Sequence, residues 1–170
     1  NPILRQLREE KDVGISGGIY HELQIRMTYN SNHMEGSRLN EEQTRHIFET
    51  NTLYEDDDFR VIFDASPATK GHVLILPKEH AANVFELSEE TASKVFVLAK
   101  KIATVLKEVT GCEGVNILQN NGEIAGQTVF HFHMHIIPRY KGDTANIKWV
   151  QNEVDQAVVD EIISKAKDLL

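Results

Sequence analysis

His131-Phe132-His133-Met134-His135-Ile136-Ile137-Pro138 alternates imidazole and apolar side chains, then runs into an aliphatic pair and a proline. Successive side chains of an extended strand point to opposite faces. The period therefore predicts a strand with His131, His133 and His135 on one face and Phe132, Met134 and Ile136 on the other. The apolar face suits a core. The other face carries three imidazoles, for which packing alone gives no use. Two chemistries suit it. Neutral imidazoles could ligate zinc or iron. Alternatively, one imidazole could attack phosphorus while its neighbours set its tautomer and stabilise the phosphate. The triplet alone does not separate them.

The flanking residues favour phosphorus. Gln127-Thr128 and Asn120-Asn121-Gly122 supply neutral donors suited to phosphate oxygens, and Lys78 and His80 follow a strand that begins at His72. A metal site would want a carboxylate in a comparable cluster, and Glu123 is the only acid near the triplet in sequence.

Working outward, 59–64 and 72–76 read as two strands of a hairpin, with 66–71 as the turn and Pro77 as the stop. Ser88 is placed to cap a long helix through Val109, with Val95, Leu98, Ile102, Val105 and Leu106 on one stripe and Gly111 closing it. Residues 115–119 read as a third strand, 120–122 as a turn, and 128–138 contains the fourth. Val158, Ile162, Ala166 and Leu169 recur at helical spacing, which predicts a terminal packing helix over 154–170, and Trp149 is read as a packing residue. Upstream, the pattern is helical: about 2–12, then a face of Ile19, Leu23, Met27, Asn30 and Met34, then 41 to about 50 behind an Asn40/Gln43 capping box. Glu55-Asp56-Asp57-Asp58 reads as a solvated turn. A boundary near residue 53 divides the chain into a small all-α segment, 1–52, and an α+β domain, 53–170.

The chain has 170 residues, enough for a core without staples. Cys112 is its only cysteine, which excludes a disulfide framework and a cysteine-rich zinc site within this sequence. The formal charge of −8 gives no general attraction to nucleic acid. The aliphatic runs are too short to span a bilayer and no signal-peptide core is present, so a soluble, cytoplasmic protein is expected.

Residues 53–143 resemble the histidine triad (HIT) nucleotide hydrolases and transferases. The resemblance is carried by Phe59-Arg60-Val61-Ile62-Phe63-Asp64, by Pro67 and Gly71-His72-Val73-Leu74-Ile75-Leu76-Pro77-Lys78-Glu79-His80, by Asn120 and Gly126-Gln127-Thr128-Val129, and by the triplet with Pro138-Arg139. It implies a five-stranded antiparallel sheet with a long helix, and dimers that join two sheets. His133 matches the nucleophile that becomes nucleotidylated on attacking an α-phosphorus, and His131 the residue that orients it. His135 and His72 match phosphate-contacting histidines, and Thr128 a residue near the leaving group. Gln127 and Asn120 match phosphate-binding positions. Asp64 matches the acid that holds the ribose, with Ile62 and Phe63 lining the base pocket. The implied reaction cleaves a nucleoside phosphoramidate or a dinucleoside polyphosphate and releases a nucleoside monophosphate such as AMP. Many bacterial relatives hold zinc with paired amino-terminal cysteines. This chain lacks them, so neither a metal nor another cofactor is expected.

Residues 5–51 resemble the amino-terminal region of Fic-family adenylyltransferases. The match runs over Gly17-Gly18-Ile19-Tyr20-His21, over 27–39, and over 43–50. Ser31, Glu35 and Gly36 fit that family's inhibitory-helix motif, and Ser31 and Glu35 would share a helix face. The Fic catalytic loop is absent, so adenylylation by that route is not expected. The resemblance implies a second function, a binding module that inhibits a Fic-domain protein in trans.

Overall fold

In the computed structural model, residues 51–170 are described. The three helices expected over residues 2–50, and with them Ser31, Glu35 and Gly36, lie outside the described residues.

The elements run β1 (Thr52–Glu55), β2 (Phe59–Phe63), β3 (Val73–Pro77), α1 (Glu89–Thr110), β4 (Gly114–Leu118), a single 3-10 turn (Glu123–Ala125), β5 (Met134–Arg139) and α2 (Gln156–Ala166). The strands form one antiparallel sheet in the order β1-β2-β3-β5-β4. This is the five-stranded α+β fold the sequence resemblance implies, including a first strand that residue patterning does not mark. β1 escapes notice because its Tyr54 and Glu55 are exposed, with no buried alternation to read.

The acidic run after β1 is more than a solvated turn. Asp56 Oδ1 accepts the backbone N–H groups of Asp58 and Phe59 at 2.9 and 2.7 Å, closing the link into β2. Glu55 faces Arg60 and Lys78 at 2.9 and 3.1 Å, and Asp58 faces Lys94 at 2.9 Å. Cations from the neighbouring strands and α1 offset the repulsion among the acids.

Helix α1 starts where expected. Ser88 is extended, its side chain accepts the Thr91 N–H, and it is itself anchored by Glu79. Gly111 ends the helix at φ 70, a conformation that favours glycine, with its N–H on the Lys107 carbonyl. Val95, Leu98, Ala99, Ile102 and Leu106 are buried against Val61, Val73, Ile75, Phe132, Met134 and Ile136. Val105, expected on the buried stripe, is 46% exposed because it lies at that stripe's edge.

The carboxyl-terminal expectations are half right. Helix α2 forms, capped by Asp155, but it buries none of its residues. Val158, Ile162, Leu169 and Trp149 are exposed. Helical spacing fixes which residues share a face, not whether a surface is present to meet that face. No helix among the described residues is long and apolar enough to cross a membrane.

Candidate active site

The site forms on the sheet face opposite α1. Cross-strand register places Ile62 opposite Leu74, and His135 opposite both Leu74 and Leu118. These residues make one row across β2, β3, β5 and β4. The ladder extends one step beyond β2 and β3, because the Asp64 N–H donates to the His72 carbonyl at 3.0 Å. Asp64 and His72 thus stand side by side next to the row that holds His135.

Only His135 lies within β5. His131 and His133 lie in the irregular stretch that leads into it. The expected alternation nevertheless holds for the apolar residues, since Phe132, Met134 and Ile136 belong to the core cluster, and the His133 and His135 rings meet each other. The strand is shorter than the sequence period predicts because the Phe132 N–H donates to Ala81 in the loop after β3. That bond takes the chain out of the sheet ladder.

Backbone groups assign the proton positions. A carbonyl only accepts, so the 2.8 Å contact from His133 Nδ1 to the His131 carbonyl places a proton on Nδ1. Nε2 of His133 then carries a lone pair. His131 Nε2 faces the Pro77 carbonyl at 3.0 Å and is protonated by the same reasoning. Its Nδ1 accepts from His80 Nδ1 at 3.2 Å, and the two rings stack at 5.5 Å. The Ala68 N–H donates to His72 Nδ1 at 3.1 Å, so His72 is protonated on Nε2. That N–H donates to His135 Nδ1 at 2.9 Å. His135 in turn carries its proton on Nε2. One imidazole thus offers a lone pair, and an adjacent one, with ring centroids 5.0 Å apart, offers an N–H.

Burial keeps the His131 and His135 rings neutral. It pushes His135 down to about 3, with the neighbouring His133 and His72 adding to the effect. It pushes His131 down to about 4, against a smaller opposing pull from the Pro77 carbonyl. Neutral imidazole is the nucleophilic form.

The remaining site residues divide. Asp64 and Ile62 sit with the histidines, and Ile62 is covered by Leu74 and Leu76. Phe63 does not share that face. It pairs with Val73, whose row continues into Ile136 on the α1 side, because neighbours along a strand face opposite ways. Gln127 is 2% exposed, and its amide is spent on the backbone. Its Oε1 accepts the Gly122 N–H at 2.7 Å, and its Nε2 donates to the Ala82 and Val129 carbonyls at 2.6 and 2.8 Å. No donor remains for a phosphate, so Gln127 closes the loop that leads to the triplet. Asn120 turns its amide toward the Gly126 carbonyl at 3.4 Å, and Thr128 is half-buried just ahead of His131. His80 received no role from the sequence, yet it holds the His131 ring. The ring nitrogen that answers it could not be read from residue order.

The described residues do not assemble a cysteine–histidine zinc site. Cys112 is buried just beyond the end of α1, where the Thr110 hydroxyl meets its backbone N–H. One group among the described residues, Asp64, His72 and His135, has the spacing of cation ligands. The nitrogen of His72 that faces it carries a hydrogen, fixed there by Ala68, so no lone pair is presented.

Comparison with known proteins agrees with this geometry. The HIT domain family matches residues 45–142. The chain belongs to the histidine triad (HIT) family. It is 48% identical over 98 residues to the Hit protein of Bacillus subtilis, covering 57% of this chain and 68% of that one. It is 41% identical over 109 residues to the adenosine 5'-monophosphoramidase of Schizosaccharomyces pombe, covering 61% and 79%. A HIT family protein from Bacillus anthracis superposes with a TM-score of 0.66 at 34% identity, over 82% of this chain and 94% of that one. The HIT match begins inside the segment read as Fic-like, and these comparisons lend the Fic reading no support.

Proposed function

We propose that this HIT protein hydrolyses nucleoside phosphoramidates by passing the nucleotidyl group through Nε2 of His133. The carrying observation is the His131 carbonyl 2.8 Å from His133 Nδ1, which leaves the lone pair on Nε2. That lone pair attacks the α-phosphorus and forms an N–P bond as the P–N bond to the leaving amine breaks. The amine departs with a proton taken from solvent, and the water of the second step returns one to solvent. Water then attacks the same phosphorus, the His133–phosphorus bond breaks, and a nucleoside monophosphate leaves. His135 Nε2–H is the donor for a phosphate oxygen in this reading. In the same reading Asp64 takes the ribose hydroxyls, the apolar group around Ile62 meets the base, and Asn120 and Thr128 serve the phosphate and the leaving group. The choice of phosphoramidate over dinucleoside polyphosphate is supported by the likeness to the yeast monophosphoramidase. A homodimer belongs to the same reading, because β4 leaves one sheet edge unpaired within the described chain.

Incubation with adenosine 5'-phosphoramidate and with diadenosine polyphosphates tests the proposal. AMP release from the phosphoramidate is expected, with an adenylyl adduct on His133 after acid-free quenching and mass analysis. His133→Asn lowers turnover by about three orders of magnitude or more while AMP still binds. Undiminished turnover by that variant removes His133 as nucleophile, and cleavage of diadenosine polyphosphates alone corrects the substrate class.

A further inference from the structure

Asp64, His72 and His135 are all largely shielded from solvent, with side-chain exposures of 9%, 5% and 17%. Asp64 Oδ1 accepts the Ser66 N–H at 2.8 Å. Its Oδ2 stands 3.5 Å from His72 Nε2 and 4.0 Å from His135 Nδ1, and those nitrogens are 2.9 Å apart. In the neutral network a single proton lies between the two nitrogens. A shielded carboxylate oxygen therefore faces two uncharged rings, and one of them turns a lone pair toward its partner. An anion brought to His135 adds a second negative charge to the same small region, which is unfavourable unless a positive charge arrives with it.

One added proton resolves this. With hydrogen on His135 Nδ1 as well as on His72 Nε2, both N–H groups can aim at Asp64 Oδ2. His135 then presents Nε2–H to the anion as part of a cation. We propose that Asp64 is the counter-ion of a proton held by the His72–His135 pair, taken up from solvent when an anion occupies the site. The proton forms an N–H bond at Nδ1 of His135 and returns to solvent when the anion leaves, and no bond within the anion changes. The groups facing the pair are Asp64 from the end of β2, His72 from the start of β3, and His133, whose ring meets His135 edge-on. A charge on His133 opposes a charge on His135. This inference rests on reading the site as a phosphate site. It makes Asp64 a positioning residue for the phosphate contact in addition to any hold on the ribose.

Sulfate is the probe, because it has no ribose and remains a dianion across the range used. For the intact protein, its dissociation constant should rise about five- to tenfold per pH unit between pH 5.5 and 7.5, the linkage signature of roughly one proton taken up. Side-chain 15N spectra of the complex should show both ring nitrogens protonated on His72 or His135. Asp64→Asn should weaken sulfate binding about tenfold at pH 6 and leave both rings neutral, its fold being checked by thermal unfolding. If Asp64 serves only the ribose, the same variant binds sulfate equally or more tightly, since a negative charge has gone. That result, or neutral rings in the wild-type complex, overturns the proposal and leaves the phosphate-site reading intact. Failure of the wild-type protein to bind either sulfate or AMP overturns both.

Discussion

His131 and His135 are held neutral by burial, at about 4 and about 3 against an ordinary value of 6.5. Unfolding returns them to water, where they take up protons below pH 6.5. Between pH 6.5 and the depressed folded values the unfolded chain binds more protons, so folding stability falls as pH falls through that window. The melting temperature in anion-free buffer should therefore drop by at least about 5 °C between pH 7 and pH 4.5. His135→Gln should flatten part of that slope. A pH-independent melting temperature over the same range would show that the two rings are not buried as neutral imidazoles. The period-two spacing alone predicts the histidines on one face, and the same regularity puts Phe132 and Met134 in the core. Proton positions were beyond reach of the sequence, because the Pro77 and His131 carbonyls and the Ala68 N–H set them. Every residue has those backbone groups, so only the fold singles them out.

Between elements, the turn into β3 packs closely on the end of α1 and on β5. Gly71 adopts φ +84, and a Cβ there would lie 3.3 Å from the Thr110 methyl at the end of α1 and 3.4 Å from the Pro138 ring on β5. Thr69 fixes the same turn by donating its hydroxyl to the Pro138 carbonyl at 2.5 Å. Gly71→Ala adds strain at a left-handed position and crowds two neighbouring elements, at a cost of about 1–3 kcal/mol in chemical denaturation. His72 follows directly, so the variant should also raise the KM for a nucleotide substrate. An unchanged denaturation midpoint would show that the turn relaxes freely. The hairpin and α1 were legible because their signals are local: a turn-forming 66–71, a capping Ser88 and a closing Gly111. The fate of Phe63 and Gln127 was not local. Phe63 needed the register of β2 against β3, and Gln127 needed a loop forty-five residues away at Ala82 to receive its amide.

Across the whole molecule, the core and the site share one sheet. α1 covers one face, and His135, Asp64 and Ile62 occupy the other, with His131 and His133 just ahead of β5. Helix α2 stands outside this arrangement among the described residues, burying none of its apolar positions, and the HIT match ends at residue 142. The last ties of the sheet to the following chain are Arg139 to Asp143 at 2.7 and 2.8 Å and Arg139 to the Ala145 carbonyl at 2.8 Å. Arg139 also holds Asn116 of β4 at 2.7 Å, so residues up to 145 brace the edge of the sheet. A chain ending after residue 147 should therefore keep its melting temperature within about 2 °C of the full chain, since exposed side chains contribute little to folding. Ending before Asp143 should lower it by several degrees, because the Arg139 guanidinium then loses its carboxylate partner. Equal loss in both truncations, measured by calorimetry over a range of protein concentrations, would show that α2 packs on a surface formed between chains. In that case the loss would shrink as the protein is diluted, because the full chain gives up its association-dependent stabilisation.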